Sequence, residues 1–227
     1  MAPPRLRLVL AVSLDGRLAP PSGGAAQLGG KGDRRVLEEA LAWADAVLIG
    51  ARTLRLHGST CLIHAPDLLL RRQEKGLAPQ PAVMVWSRSG RFAPELPFFQ
   101  QPVMRWLLLA DAQPLPGVVA GFSRVVSFVD WTQTLSCWRA LGVARVTVLG
   151  GAELAGSLMA ARVLDELQLT VCPMVLGGPH SWLPSTAESD ARIHWVLRRQ
   201  EPLLGGELLL HYERQSQERQ ITDVSRR

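Results

Sequence analysis

The chain has 227 residues, with 25 Lys+Arg against 20 Asp+Glu and a formal charge of +5. At 47% hydrophobic and 20% charged it is too apolar for a disordered chain, and it has neither the composition of a fibre nor the cysteine density of a disulfide-stapled miniprotein. Its length suits one large domain or two small ones, and a chain of this size can bury a sizeable core.

Cys61, Cys137 and Cys172 form no CxxC pair, so a reduced, cytoplasmic compartment is expected. The runs Leu8 to Val12 and Trp106 to Ala110 are far short of the roughly 18 apolar residues needed to cross a bilayer. Asp15 follows the first run too soon for a signal peptide, so neither membrane nor export is expected. Of the cations only Lys31 and Lys75 are lysine, and no cationic cluster interleaved with aromatics stands out. That footprint argues against nucleic acid, while a modest positive field suits an anionic nucleotide or a phosphorylated substrate.

In chain order, Arg5 to Val12 is a strand with apolar residues on both faces, as in a buried central position. Asp33 is the expected N-cap of a helix to Ala44, whose apolar residues recur at helical spacing. Strands follow at Asp45 to Gly50, Ala82 to Trp86, Trp106 to Leu109, Val125 to Phe128 and Arg145 to Leu149. Asp130 to Leu141 reads as a helix capped by Asp130 and closed by Gly142, and Ala152 to Ala161 as a helix directly after Gly150-Gly151. Leu164 to Val171, Ile193 to Arg199 and Glu207 to Tyr212 are strands without long helices between them, implying a C-terminal antiparallel hairpin around Pro202 to Gly206. The fold class is α/β: a mixed, mostly parallel central sheet with flanking helices. The domain spans 1–213, followed by a polar tail at 214–227. Trp86, Trp106, Leu154, Leu158 and Leu164 read as packing residues.

Three segments carry chemistry. Val146 to Leu149 followed by Gly150-Gly151 and a helix start is a candidate pyrophosphate cradle, because glycines admit close approach and the helix offers free N–H groups. The alternative is a tight βα turn with no ligand. Asp15 in Ser13-Leu14-Asp15-Gly16 is either a turn residue bonding local backbone or a cleft carboxylate that orients a heterocycle or relays a proton. Thr53, after the Asp45 to Gly50 strand, could meet a ribose or phosphate, or cap a helix. His57, Cys61 and His64 do not have convincing ligand spacing, so no metal is expected.

Taken in order, Ser13-Leu14-Asp15-Gly16-Arg17, the run Ala44 to Thr53, Val148 to Gly151, and Leu164 to Leu167 with Pro173 to Gly178 resemble one family. It is the reductase domain of bacterial bifunctional riboflavin-biosynthesis proteins, also found as a stand-alone pyrimidine reductase, with a dihydrofolate-reductase-like fold. The resemblance covers residues 5–213 and implies an NADPH-dependent reduction of 5-amino-6-(5-phosphoribosylamino)uracil, its ribosylamino group becoming ribitylamino. It implies cofactor contacts at Ala11, Thr53, Ser87, Arg88 and the run Gly150, Gly151, Ala152, Glu153 and Leu154. It places Asp15 beside the reacting centre as the catalytic residue, with Ser13 and Asp15 facing substrate. The cofactor supplies the hydride, so the protein mainly positions it.

The chain departs from the family at three positions. Leu41 and the stretch ending in His64 replace expected arginines, and Leu149 replaces a frequent Glu. A different pteridine- or pyrimidine-like substrate, or a nucleotide-binding homologue without catalysis, is therefore the alternative. No zinc-deaminase pattern accompanies the reductase. NADPH is expected to be preferred over NADH, with Arg52, Arg88 and Arg91 as candidate partners of the 2′-phosphate. A homodimer is expected, because the consecutive Leu208, Leu209 and Leu210 leave one apolar side chain on the outer face of a final strand.

Overall fold

The computed structural model describes residues 2–109, 121–184 and 193–215. Nine strands form one sheet: β1 (Arg5–Ser13), β2 (Ala46–Gly50), β3 (Ala82–Ser87), β4 (Arg105–Leu109), β5 (Arg124–Ser127), β6 (Arg145–Val148), β7 (Glu166–Cys172), β8 (Trp195–Pro202) and β9 (Leu208–Arg214), in the order β5-β4-β3-β2-β6-β1-β7-β9-β8. Every pairing from β5 across to β7 is parallel, and β9 pairs antiparallel with both β7 and β8. The expected elements are present with their ends within three residues.

Alternation along β1 explains the two cores. Leu6, Leu8, Leu10 and Val12 face α4 (Trp131–Ala140) and α5 (Ala152–Ala160). On β2 the alternation sends Val47 and Ile49 to the opposite side, where they pack with Leu41 of α1 (Lys31–Trp43), Leu54 of α2 (Ala51–His57) and Leu68 of α3 (Pro66–Glu74). Because helices cover both faces, β2 and the Leu8 to Val12 stretch of β1 are apolar on both faces rather than alternating.

Two helices have no clear signature in the sequence. α2 is a seven-residue element with only Ala51 and Leu54 buried, too short to establish a period. α3 turns Leu68 and Arg72 inward, and a buried arginine breaks the apolar stripe. Helix α4 behaves as expected: the Asp130 carboxylate accepts from the Gln133 N–H at 2.8 Å, and Gly142 adopts φ +85° just past the end. Asp33 does not cap α1. The helix begins two residues earlier, Gly30 is its N-cap, and no local side chain caps it.

α1 is instead tied down from outside. Thr147 Oγ1 donates to the Ala40 carbonyl at 2.8 Å and Gln168 Nε2 to the Val36 carbonyl at 3.1 Å, both from the sheet beneath. At its C-terminal end the buried Arg72 donates through Nη1 to the carbonyls of Leu41, Ala42 and Ala44, and through Nε to that of Ala78. These bonds satisfy carbonyls that a helix end leaves without partners.

The antiparallel pair corrects the expectation about the sheet edge. β9 lies between β7 and β8, so Leu208, Leu209 and Leu210 are not on an edge strand. Leu209 is buried, and Leu208 is exposed on the outer face. The edge is β8, where Arg198, Arg199 and Glu201 supply the charge that discourages strand addition. β9 continues to Arg214, and the Gln215 N–H donates to the His194 carbonyl at 2.9 Å; the rest of the polar tail lies outside the described residues. Among the described residues no helix is long and apolar enough to cross a membrane.

At the opposite end of the strands from Gly150, Glu166 is buried and receives Arg5 Nε at 2.5 Å, Arg7 Nε at 2.6 Å and His211 Nε2 at 2.8 Å. Burial opposes ionisation of this carboxyl, but the His211 bond and the two guanidiniums outweigh it and bring it down to about 2. A depressed native pKa contributes stability above the unfolded value and loses it as pH falls toward the native one. The Glu166→Gln variant is therefore expected to be about 2–3 kcal/mol less stable than the wild type at pH 7. In denaturant titrations that gap should narrow as pH falls from about 4.5 toward 2, and a gap independent of pH would contradict the assignment.

Candidate active site

The carboxyl-terminal parts of the parallel strands β1, β2, β3 and β6 open into a cleft of 1420 Å³. Such strand ends are where ligands bind in open α/β sheets. Its walls include Ala11 from β1, Thr53 from α2, Ser87 and Arg88 from the end of β3, and Gly150 to Leu154 from the β6–α5 connection. All the positions expected to touch the cofactor therefore share one cavity.

The glycine turn is closely packed, and Gly150 takes a conformation that favours glycine. Gly150 has φ +65°, and a Cβ there would stand 2.7 Å from Leu10 Cδ2; one on Gly151 would stand 2.8 Å from Thr53 Oγ1. The peptide between the two glycines is cis. Gly151 is the N-cap of α5, so the N–H groups from Gly151 to Leu154 lack intrahelical acceptors and the positive end of the helix faces the cleft. Leu154 also belongs to the core, which fixes the pitch of this turn.

Cations dominate the rim. Arg52 pairs with Glu153 at 3.1 Å, joining α2 to α5, and Arg55 donates to the Arg91 carbonyl at 2.6 Å. Arg88 is exposed and has no ion-pair partner among the described residues. Arg91 is not among the lining residues. Ser87 is buried, and its hydroxyl accepts from the Gly90 N–H at 3.0 Å, shaping the turn that presents Arg88.

Ser13 and Asp15 stand outside the cleft lining. The Ser13 hydroxyl donates to Asp15 Oδ1 at 2.6 Å, and the Leu176 and Gly177 N–H groups donate to the same carboxylate at 3.1 and 2.8 Å. The Ser13 bond first, and then the backbone donors, hold the Asp15 carboxyl well below the usual range. Asp15 thus fastens the loop after β7 to the end of β1.

The structure adds residues that the motifs do not reveal. Asp33 and Arg34 on the first turn of α1, and His180, also line the cleft. The readable signal for that wall is the glycine-rich stretch Gly23 to Gly30 directly before the helix. The three departures are not equivalent. Leu41 is fully buried among α1–α3 contacts and cannot face a ligand, His64 is exposed in the coil before α3, and only Leu149 borders the cleft. Among the described residues no group of three His, Cys, Asp or Glu is arranged to hold a metal.

Comparison with known proteins places these features. The RibD C-terminal domain family matches residues 4–201. The riboflavin biosynthesis protein RibD of Haemophilus influenzae is 27% identical over 180 residues, covering 77% of this chain and 48% of that protein, so the chain spans about half the length of that relative. The 2,5-diamino-6-ribosylamino-4(3H)-pyrimidinone 5′-phosphate reductase of Methanothermobacter thermautotrophicus is 24% identical over 185 residues, covering 77% of this chain and 80% of that enzyme. The crystal structure of a pyrimidine reductase-like protein from Corynebacterium diphtheriae superposes with a TM-score of 0.76 at 18% identity, covering 94% and 92% of the two chains. The fold is the dihydrofolate-reductase-like one. With the family matched along most of its length and its glycine turn lining the cleft at the strand ends, the chain belongs to the RibD C-terminal domain family.

Proposed function

We propose that the chain is a nicotinamide-dependent reductase of riboflavin-pathway type that converts the ribosylamino group of a phosphoribosylaminopyrimidine to ribitylamino. The observation that carries this reading is the convergence of Ala11, Thr53, Ser87, Arg88 and Gly150 to Leu154 on one cleft. The cleft fits an extended dinucleotide: free helix N–H groups follow a closely packed glycine turn, and cations line the rim. When bound, the nicotinamide supplies the hydride. The β6–α5 turn would hold the pyrophosphate, and Thr53, beside Gly151, a phosphate or ribose oxygen. Ser13 and Asp15 would order the substrate side, with Asp15 acting as an ionised acceptor that secures the loop at Leu176 and Gly177.

Turnover of 5-amino-6-(5-phosphoribosylamino)uracil and of 2,5-diamino-6-ribosylamino-4(3H)-pyrimidinone 5′-phosphate tests the reading, and oxidation of cofactor with neither would defeat it. Leu149 at the cleft, where the family resemblance expects Glu, favours as the second reading a reductase of another pyrimidine- or pteridine-like heterocycle. Turnover of a pterin but of neither pyrimidine would select it.

NADPH is expected to bind more tightly than NADH, with Arg88 meeting the 2′-phosphate. A charge-assisted contact of about 1.5–3 kcal/mol corresponds to a loss of roughly 10- to 100-fold for NADPH in Arg88→Ala, with NADH little changed. Melting-shift titrations with both cofactors measure this, and equal affinities in the wild type would contradict it.

Substituting Asp15→Ala is expected to speed amide exchange at Leu176 and Gly177 and to lower kcat/KM about tenfold through misplacement of the loop. Unaltered exchange at those two amides would remove the fastening role.

A homodimer in the cytoplasm completes the proposal, with exposed Leu197 and Leu208 on the β8–β9 pair as the apolar surface to be covered. Light scattering should give twice the 24.8 kDa chain mass across micromolar concentrations, and a value at the single-chain mass would exclude it.

A further inference from the structure

The hairpin turn between β8 and β9 grips the start of α1. Glu207 is buried, and its carboxylate accepts from the backbone N–H of Gly30 and, at 3.0 Å, from that of Asp33. These are first-turn donors that no local side chain satisfies. The fit around them is tight. A Cβ on Gly32 would stand 2.7 Å from Leu203 Cβ and 2.9 Å from the Leu204 backbone nitrogen, and one on Gly29 would overlap the Asp33 carboxylate.

The grip fixes one titratable group in the cleft wall. Of the carboxylates lining the cleft, Glu153 is exposed and paired with Arg52, whereas Asp33 is half-buried and is not in an ion pair among the described residues. We propose that Glu207 is a positioning residue for the reaction, and that Asp33, which it clasps, is the carboxyl that meets the substrate and holds its proton. This rests on the reductase reading above. Reduction of a ribosylamino group breaks the C1′–O4′ bond of the sugar. C1′ gains the hydride from the nicotinamide, and O4′ gains a proton. Asp33 gives that proton and is reprotonated from solvent.

The groups facing Asp33 fit this role. Glu207 on the hairpin turn opposes its ionisation, the Thr170 side chain on β7 hydrogen-bonds to it, and Arg34 beside it on α1 favours the ionised form. Cys172 on β7 and Cys61 in the coil after α2 are the remaining neighbours, and both thiols are pushed up, chiefly by burial, so they stay uncharged. Burial first and Glu207 second leave the Asp33 carboxyl above its ordinary value, opposite in direction to Asp15. One carboxyl therefore holds a proton at higher pH than the other, as a donor must.

Two measurements on the full chain test the proposal. The first follows the Asp33 side-chain carboxyl by NMR titration, assigned with Asp33→Asn. Its midpoint should lie above the ordinary aspartate value and move by about half a pH unit or more toward acid in Glu207→Gln, where a like charge is removed. An unmoved midpoint overturns the pairing. The second follows kcat/KM for the two phosphoribosylaminopyrimidines against pH. Asp33→Asn should lose at least about tenfold while its NADPH Kd stays within about twofold. The profile of Glu207→Gln should shift in the same direction as the NMR midpoint, and Glu207→Asp, which keeps the charge, should restore it. Full activity in Asp33→Asn would overturn the proposal and leave the reductase reading intact. An inactive wild type would defeat that reading instead, and the carboxyl titration would then decide the pairing alone.

Discussion

The position of α1 is the constraint on which the cleft depends. This helix forms one wall of the cavity, yet it carries no local side-chain cap and no basic residue in its last turn. Its ends are satisfied by residues far away in sequence: Glu207 at the first turn and Arg72 at the last carbonyls. Thr147 and Gln168 hold its middle to the sheet. Hydrophobic contact is non-directional and would let a helix slide, whereas buried polar bonds fix its register because each lost bond leaves an unsatisfied group. Four residues thus fix this wall of the cleft through directional bonds.

The same logic explains what the sequence reveals. β2 and the Leu8 to Val12 stretch of β1 are legible because they are largely buried on both faces and read as short apolar runs. The antiparallel hairpin is legible from Pro202 to Gly206, whose glycines adopt φ +84° and +79°. Helix α3 is hidden for the reason that makes it useful: the residue turned inward is an arginine, placed there to serve the carbonyls at the end of α1. Asp33 carries the sequence signature of an N-cap but not that role, because Glu207, 174 residues away, occupies the capping position. No local pattern encodes a partner at that distance.

The site divides in the same way. The half proposed for the cofactor is built from turns at strand ends, where a short motif carries the geometry: Gly150 takes a positive φ, and Thr53 lies against Gly151. The positions expected there from the motifs all line the cleft. Another wall of the cleft is assembled from the first turn of α1, the loop before it and His180, segments joined only by tertiary contact. Leu41 illustrates the limit of motif transfer. It occupies a position where the family resemblance expects arginine, but its side chain lies in the core, so the substitution does not bear on the cleft directly.

The two aspartates show how environment, rather than residue type, assigns chemical roles. Asp15 sits in a ring of donors, the Ser13 hydroxyl and the Leu176 and Gly177 N–H groups, all of which favour its charge. A carboxylate so solvated by protein dipoles is a stable acceptor and a poor source of protons. Asp33 faces the reverse: partial burial and a second carboxylate penalise its charge, and the nearest guanidinium, Arg34, is engaged by Glu38 at 2.8 Å. The hairpin supplies the penalty, since Glu207 places a like charge near Asp33 in the act of bonding to its backbone. A single contact can therefore both hold the cleft wall in place and raise the proton affinity of the carboxyl it presents. This couples the C-terminal strands to the proposed chemistry at the start of α1, although they lie outside the cleft.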